Sequence, residues 1–508
     1  MTLAPPSVGV DLRVAIAGTE LVGDARRRLV ATRVRHVMSR PSVAEVLLDG
    51  REEQGADIEP GCSLEIHIGD HLHLTGDVSN VQHHHDASGG HLIRVRGFDR
   101  LARLRRMQGV RALPSGDLPS IVGSIVAEVG LDVSSTGTWP RLDRLHQYRE
   151  NDLETLVELA QLYGAGLVVR GTTVHVVGIE GIGEEVDVQL GADLLDVTHG
   201  HNDGAADEVR ATGWDHERGE VMAVDGRASG ALPSLGTMLS STAVRHLRDI
   251  GAPDADAASA QARAVAERDE AASRTFRATV TRRADLSVGQ SCTFRDGAGG
   301  VIGSHRLEVV DHQVTGTGVV TEVSSQAPRR RHVPTSSSSS ASTTGIARGV
   351  VVDVADPDGR GRVRVSLPTF GEAVSPWVDV VHAGGSGERG FVSVPRVDDL
   401  VALLVVEGDL SRSVVLGGLL GPAGPVRDVV DGGDVVRHAW HSDPDQYVVL
   451  DSAASTVSLR NRAGSRIELT PELVEVHAAS DLVIAAPGKR ISIRAAAVDF
   501  EQVEEAET

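Results

Sequence analysis

The stretch from Gly345 to Gly421 constrains the fold most, because apolar and polar residues alternate along it with the period of two of a β-strand. Gly349–Val354 and Arg362–Leu367 flank the turn sequence Asp356-Pro-Asp-Gly359 and predict a hairpin. Four further runs predict strands, namely Trp377–Val381, Phe391–Val394, Leu400–Val406 and Val414–Leu419. Five or six short strands with no helical period between them favour a small Greek-key barrel of the oligonucleotide/oligosaccharide-binding (OB) type.

An OB barrel can bind single-stranded nucleic acid when it offers a basic groove and aromatic side chains for stacking. This stretch has seven Arg and no Lys against ten Asp and Glu, and its aromatic residues are Phe370, Trp377 and Phe391. The whole chain has a net charge of −21, which also disfavours polyanionic partners. A structural or docking module is therefore the better hypothesis, and a nucleic-acid-binding OB protein is the alternative of another class.

This stretch contains a series of motifs in a fixed order: Asp356-Pro-Asp-Gly-Arg-Gly-Arg-Val-Arg-Val, Pro376-Trp377, Gly390-Phe391, Pro395-Arg-Val-Asp-Asp-Leu-Val and Gly408-Asp-Leu-Ser-Arg-Ser-Val-Val-Leu-Gly-Gly-Leu. Their order and spacing resemble the barrel of the VgrG family, the spike proteins of type VI secretion systems, contractile phage tails and extracellular contractile injection systems. Two motifs of the first half resemble the hub domain of the same family. They are Leu92-Ile-Arg-Val-Arg-Gly-Phe-Asp-Arg-Leu-Ala-Arg-Leu and Gln147-Tyr-Arg-Glu-Asn-Asp-Leu-Glu-Thr-Leu-Val-Glu-Leu-Ala.

The first 325 residues carry strand patterns at both ends and helical patterns between them. The N-terminal runs that predict strands are Val8–Ile16, Leu29–Val37, Ser42–Leu48, Leu64–Ile68, His71–Val78 and Leu92–Gly97. A later set is Thr275–Arg282, Ser291–Phe294, Arg306–Val314 and Val319–Val323. Each set predicts a β-barrel, and the resemblance implies that two such barrels per chain form a six-fold-like ring in a trimer.

Helices are predicted between the two sets of strands. Asp117–Val129 has apolar residues at three- and four-residue spacing, and Asn151 with Glu154 predicts a capped helix that ends at Gly164. A hairpin around Gly171 should follow, and the Ala-rich run Ala255–Ser273 predicts one exposed helix.

Two sets of metal-ligating residue types are interpreted as structural. His83-His-His-Asp86 is predicted to be a solvated turn closed by Ser88–Gly90, because consecutive side chains of a strand point to opposite faces and converge poorly on one ion. Cys62 and Cys292 have no metal-ligand spacing and are predicted to be two small buried hydrophobic residues.

The C-terminal region repeats short strand patterns at Thr456–Leu459, Arg466–Leu469, Leu473–Val476, Leu482–Ile484 and Arg490–Ile493. Eight apolar residues share one parity and would line one face: Ile467, Leu469, Val474, Val476, Leu482, Ile484, Ile491 and Ile493. If these side chains stay in water, the chain loses a hydrophobic stabilisation of at most on the order of 12–24 kcal/mol. One thin meander has nothing to cover this face, whereas three chains around an axis would cover it. These eight residues are therefore the predicted core of a trimeric β-prism, and by the same parity Glu475 and His477 point outwards.

These observations predict a mainly β chain with four parts. Residues 1–325 form a hub of two barrels with inserted helices, 326–345 a Ser-rich linker, 346–425 the OB barrel and 426–508 a β-prism or β-helix needle. The predicted function is a homotrimeric spike and hub that joins an inner tube to a baseplate and pierces a target envelope. A baseplate hub and spike of a contractile phage or tailocin is the alternative within this mechanical class.

Catalysis is not expected. The interval between barrel and needle is too short for an inserted domain, and the sequence has no Gly-x-Ser-x-Gly, His-Glu-x-x-His or P-loop motif. No catalytic residue, cofactor or metal ligand is predicted. The partners implied by the resemblance are a tail-tube protein, baseplate proteins, a PAAR-repeat tip protein and effector cargo, with transient contact with the target membrane.

The location is predicted from the lack of two signals. Met1–Pro6 does not form a basic region followed by an apolar core, and no apolar run approaches about 18 residues. The chain is expected to be cytoplasmic as made and assembled in a tail-like particle, with release outside the cell left open.

Overall fold

The computed structural model describes the chain in two compact units, Met1–Gly418 and Leu419–Thr508. The predicted linker lies outside the described residues except for Gly345. No helix within the described residues is long and apolar enough to cross a membrane. The described ranges are 11–50, 58–109, 111–142, 145–147, 150–201, 206–215, 220–228, 243–248, 250, 252, 254–325, 345–370, 372–385, 389–406, 409–421 and 429–501.

An antiparallel sheet of eleven strands dominates the first unit and confirms the prediction of a mainly β fold. Strands of both predicted barrels lie in this one sheet, because Val309–Thr315 pairs with Leu29–Val37 along its length. In spatial order the strands are Leu194–His201, Arg274–Thr281, Gly318–Ser324, Val309–Thr315, Leu29–Val37, Val43–Asp49, His91–Asp99, His71–His85, Ser63–Ile68, Leu12–Ile16 and Thr19–Glu20.

Each half of this sheet has its own hydrophobic core. The N-terminal half buries side chains such as Val34, Leu64 and Ile66. The other half buries Phe276 and Phe294 with the neighbouring strands Val186–Gln189, Ser291–Arg295 and Val301–Arg306. Cys292 is buried there, and Cys62 is only partly buried beside the first core, so the interpretation of both cysteines as buried holds for Cys292 alone.

In the sequence, two of the predicted helices lie between the strands of the N-terminal half of the sheet and those of its other half. Leu118–Val126 is capped by the Asp117 side chain and continues as the 3-10 turn Ala127–Val129. In Asp152–Leu162 the Asn151 side chain accepts the Glu154 N–H, and Glu154 accepts the Asn151 N–H, which is the predicted capping box. The remaining short elements of this unit are Gly23–Arg27, Arg100–Arg106, Arg111–Ala112, Gly116–Asp117, Asp132–Ser135, Arg141–Leu142, His146–Gln147, Gly166–Arg170, Thr173–Val177, Glu208–Asp215, Glu220–Gly226 and Val244–Arg248.

The helix Ala255–Ser273 has the predicted bounds, but the prediction that it is exposed is wrong. Its alanines at 257, 258, 262, 264 and 266 are at most 2% exposed. Two of these alanines, Ala262 and Ala266, belong to a cluster with Val209 and Ala211 of the strand Glu208–Asp215. Alanine removes little apolar area from water, so the run lacked the strong pattern that marks a buried face.

The predicted OB barrel is a sheet of six strands in the order Ala373–Val374, Arg364–Leu367, Gly345–Asp353, Leu400–Val406, Asp409–Gly418 and Asp379–Val380. Val363 and Val378 exchange two backbone hydrogen bonds of 3.0 and 2.9 Å, which close the sheet into a barrel. The strand predicted at Phe391–Val394 is absent from the described fold. The N–H groups of Phe391 and Ser393 donate to Ala383 O and the His382 ring, so this segment pairs with a turn instead of a strand.

The second unit is an antiparallel meander of five strands, Arg437–Asp443, Gln446–Asp451, Thr456–Arg460, Arg466–Leu469 and Val474–His477, preceded by the hairpin Val430–Asp431 with Asp434–Val435. The first two meander strands were not predicted. Strands were predicted at Leu482–Ile484 and Arg490–Ile493, but residues 478–501 contain no strand and pair with none of the described strands.

Candidate assembly surface

The five-stranded meander presents an apolar face built by cross-strand register. Val457 lies opposite Leu469, which lies opposite Val474, and Leu459, Ile467 and Val476 form a second such row. The rows continue across the first two strands with Leu450 and His438, and with Val448 and Trp440. We call these ten residues the apolar face of the meander.

The apolar face is uncovered in the single chain. Leu459 is 48% exposed, Val476 57% and Val474 67%, values usual for surface residues. The other face carries ion pairs between Arg466 and Glu475 at 2.8 Å and between Arg437 and Asp451. The opposite face also contains Val449, which is 4% exposed. An antiparallel sheet normally packs an apolar face on a core, so it is the apolar face that lacks a covering layer.

The structure brings four of the eight predicted prism residues together, namely Ile467, Leu469, Val474 and Val476. Leu482, Ile484, Ile491 and Ile493 are also exposed, but they lie in the segment without strands. Glu475 lies on the opposite face, as the parity predicted. The sequence prediction missed Trp440, Val448, Leu450, Val457 and Leu459, although the alternation that places them on one face is present in the sequence.

The histidine-rich hairpin differs from its prediction. His83 to His85 belong to the strand His71–His85, and the turn starts only at Asp86, whose carboxylate accepts the N–H groups of Ser88 and Gly90. The Ser88 hydroxyl also donates to this carboxylate. This hydrogen bond lowers the pKa of Asp86 most, and the two N–H groups add to the shift. Across the described residues, no group of three or more His, Cys, Asp or Glu side chains is arranged to hold a metal ion.

The turn that opens the OB barrel is organised by one carboxylate. Asp356 accepts N–H groups from Asp358, Arg360 and Arg362, and its two oxygens also bind the Arg362 guanidinium at 2.7 and 3.1 Å. The Arg362 guanidinium lowers the pKa of Asp356 far below its usual range, and the backbone N–H groups add to this shift. Gly359 and Gly361 adopt φ values of +65° and +75°, which suit glycine in such a turn.

The barrel belongs to a recognised class of domain. Residues 347–420 match the family model described as the type VI secretion system/phage-baseplate injector OB domain. The chain is therefore a mainly β protein that contains an injector OB domain, and its resemblance to VgrG-like proteins is confirmed. A search of the curated proteins found no match.

Solved structures share the wider fold. The half-lidded Francisella PdpA–VgrG complex matches with a TM-score of 0.57 and 8% identity over 92% of this chain and 88% of that chain. The E. coli c3393 protein, described as a type VI secretion component similar to the T4 bacteriophage tail proteins gp27 and gp5, matches with a TM-score of 0.52 and 13% identity. That match covers 81% of this chain and 100% of the c3393 chain. At these identities the likeness is one of fold.

Proposed function

We propose that this chain is the homotrimeric spike and hub of a contractile injection system. It joins the inner tube to the baseplate and pierces the target envelope when the machine contracts. The injector OB domain at residues 347–420 and the VgrG-like fold support this role. The role is mechanical and needs no catalytic site.

The observation that carries the proposal is the apolar face of the meander. Its ten residues include seven aliphatic side chains that are each at least 37% exposed, namely Leu450, Val457, Leu459, Ile467, Leu469, Val474 and Val476. Full burial of such a side chain contributes about 1.5–3 kcal/mol, so covering the face would strongly stabilise an assembly. Three copies around one axis cover all three faces at once and leave the charged faces in water.

The partners follow from the same role. We infer a tail-tube protein on one side, baseplate proteins around the first unit and a PAAR-repeat protein at the tip of the second unit. The Francisella VgrG was solved in a complex with PdpA, which supports a partner or cargo protein for this chain as well. The chain would be made in the cytoplasm and would act as part of a tail-like particle.

The mass of the full chain in solution, measured by light scattering at micromolar concentration, tests the proposal. We expect three times the chain mass of 53.4 kDa for the wild type. Leu459→Glu places a charge in the middle of the apolar face and should shift the mass towards one chain. Ser458→Glu places the same charge on the opposite face of the same strand and should stay trimeric. A monomeric wild type would refute the trimer, and equal behaviour of the two variants would refute the apolar face as its interface.

A further inference from the structure

Three histidines from distant parts of the sequence meet at the join between the two halves of the eleven-stranded sheet. His36 lies on Leu29–Val37 and His312 on Val309–Thr315, the two strands that form the join, and His73 lies on His71–His85. The ring centroids are 4.4 Å apart for His73 and His312, 5.7 Å for His36 and His73, and 6.2 Å for His36 and His312. We call these residues the histidine trio.

The trio is built to be uncharged. His312 is 0% exposed, and its Nε2 donates to Leu286 O at 3.1 Å. His36 is 9% exposed and pairs with the Ser42 hydroxyl at 2.9 Å. The Nε2 atoms of His36 and His73 are buried and have no hydrogen-bond partner. Protonation of His36 or His73 would put an N–H donor and a charge where no acceptor lies. In His312 the second nitrogen, Nδ1, lies 2.9 Å from the Thr321 hydroxyl, so there the cost is that of the buried charge.

Burial lowers the pKa of all three histidines to about 3, and repulsion between neighbouring rings adds to the shift. A histidine of the unfolded chain titrates near 6.5. The trio therefore contributes full stability above pH 6.5. That stability decreases as the pH falls from 6.5 towards 3, because the unfolded or opened state binds more protons than the closed state.

The charged groups around the trio offset added positive charge only in part. Arg170 faces His36 and is itself cationic. Asp285 faces His312, but its carboxylate is held by Arg283 at 2.7 Å. His67 and His71 also face the trio from the same N-terminal half.

Two buried acids lie close to the trio, Asp311 and Asp99. Asp311 is bound across the join by the Arg33 guanidinium at 2.6 and 2.9 Å, whereas Asp99 is linked to His36 through Ser42. It accepts the Ser42 N–H at 2.7 Å, and the Ser42 hydroxyl contacts His36. Burial raises the pKa of Asp99 to about 6. Because the closed state of Asp99 binds a proton more tightly than the opened state would, its titration stabilises the closed join as the pH falls and partly opposes the effect of the trio.

We propose that the histidine trio makes the join between the two halves of the sheet acid-sensitive, so that the pairing of Val309–Thr315 with Leu29–Val37 opens more readily at pH 5 than at pH 7.5 while the OB barrel is unaffected. The trigger is a proton from the medium, and the responding element is one pair of strands. The inference does not depend on the proposed function, because it needs only the monomer fold.

Amide hydrogen exchange of the full chain at pH 7.5 and pH 5.0, corrected for intrinsic rates, tests this inference. A shift from 6.5 to about 3 predicts that protection at the join falls by about 30-fold for each histidine that takes a proton on opening. Amides of Gly345–Asp353 and Leu400–Val406 in the OB barrel should keep their protection. Unchanged protection at the join, or an equal loss in both regions, would overturn the inference.

Two variants sharpen the test. His73→Gln removes one titrating ring from the least buried position of the trio and should reduce the acid effect at the join by about 30-fold, its own share. His84→Gln changes an exposed histidine on the same strand and should leave the acid effect as in the wild type. If both variants respond to acid as the wild type does, the trio is not the sensor. If a variant does not fold, the comparison of the join with the OB barrel in the wild type is sufficient to test the inference.

Discussion

At the residue scale, Asp356 has the most partners of any carboxylate in the OB barrel for which hydrogen bonds are described. Its side chain is 3% exposed, and that of Arg362 is 13% exposed, so their ion pair is largely shielded from water. The carboxylate also fixes three backbone N–H groups of the turn. Removing it would leave the three N–H donors without their acceptor and the guanidinium with Asp358 alone.

Asp356→Ala should destabilise the OB barrel by about 2–3 kcal/mol, since the turn loses a charged acceptor for three N–H groups and for the partly buried Arg362 guanidinium. Chemical unfolding of the full chain, followed by hydrogen exchange of the barrel strands, measures this change. Asp358→Ala is the matched control, because Asp358 also binds Arg362 but is 54% exposed, and it should change stability by less than about 0.5 kcal/mol. Equal effects of the two variants would contradict the account.

The sequence revealed Asp356 but not the histidine trio, for a physical reason. The motif Asp356-Pro-Asp-Gly359 is a local turn signal, so four neighbouring residues predict the structure that they form. His36, His73 and His312 come together only through the register of non-neighbouring strands. Periodicity within single strands has no information on which strands pair, and the trio could not be found from it.

At the scale of elements, the helix Ala255–Ser273 shows how close packing depends on small residues on both sides. A Cβ added to Gly226 would lie 2.4 Å from the backbone nitrogen of Arg263 and 2.8 Å from Ala262 Cβ. Gly226 ends the strand Glu220–Gly226, so helix and strand approach each other through a glycine and an alanine. Sequence periodicity predicted the bounds of this helix, but weakly apolar alanines did not reveal its buried side.

Ala262→Leu should destabilise the first unit by about 1–3 kcal/mol, because Ala262 is 0% exposed and has no space for a larger side chain. Ser259→Leu adds a leucine on an exposed position of the same helix and should have a much smaller effect. Thermal unfolding of both variants measures the difference. If Ala262→Leu were as stable as Ser259→Leu, the close contact between helix and strand would be wrong.

At the scale of the whole molecule, the sequence predicted most strands and an exposed apolar face in the C-terminal unit, because period-two alternation is a local signal. It predicted strands in both barrels, but it did not predict that the two sets of strands form one sheet. That sheet depends on the pairing of Val309–Thr315 with Leu29–Val37. It also predicted strands at Leu482–Ile484 and Arg490–Ile493, which the single chain does not form. The alternation of apolar and polar residues predicts which side chains share a face, whereas a strand forms only when a neighbouring strand supplies its hydrogen bonds.

If the meander is stable only as a trimer, its thermal stability must depend on protein concentration. For three chains that separate on unfolding, a 100-fold increase in concentration stabilises each chain by about 2 kcal/mol. For a unit of this size, that corresponds to a rise in Tm on the order of 10 °C. Calorimetry of the full chain at two concentrations should show this shift in a transition that is missing from a chain truncated after Gly421. Ser458→Glu should keep the shift, because it leaves the apolar face intact. A C-terminal transition with the same Tm at both concentrations would mean that the meander covers its apolar face without other chains.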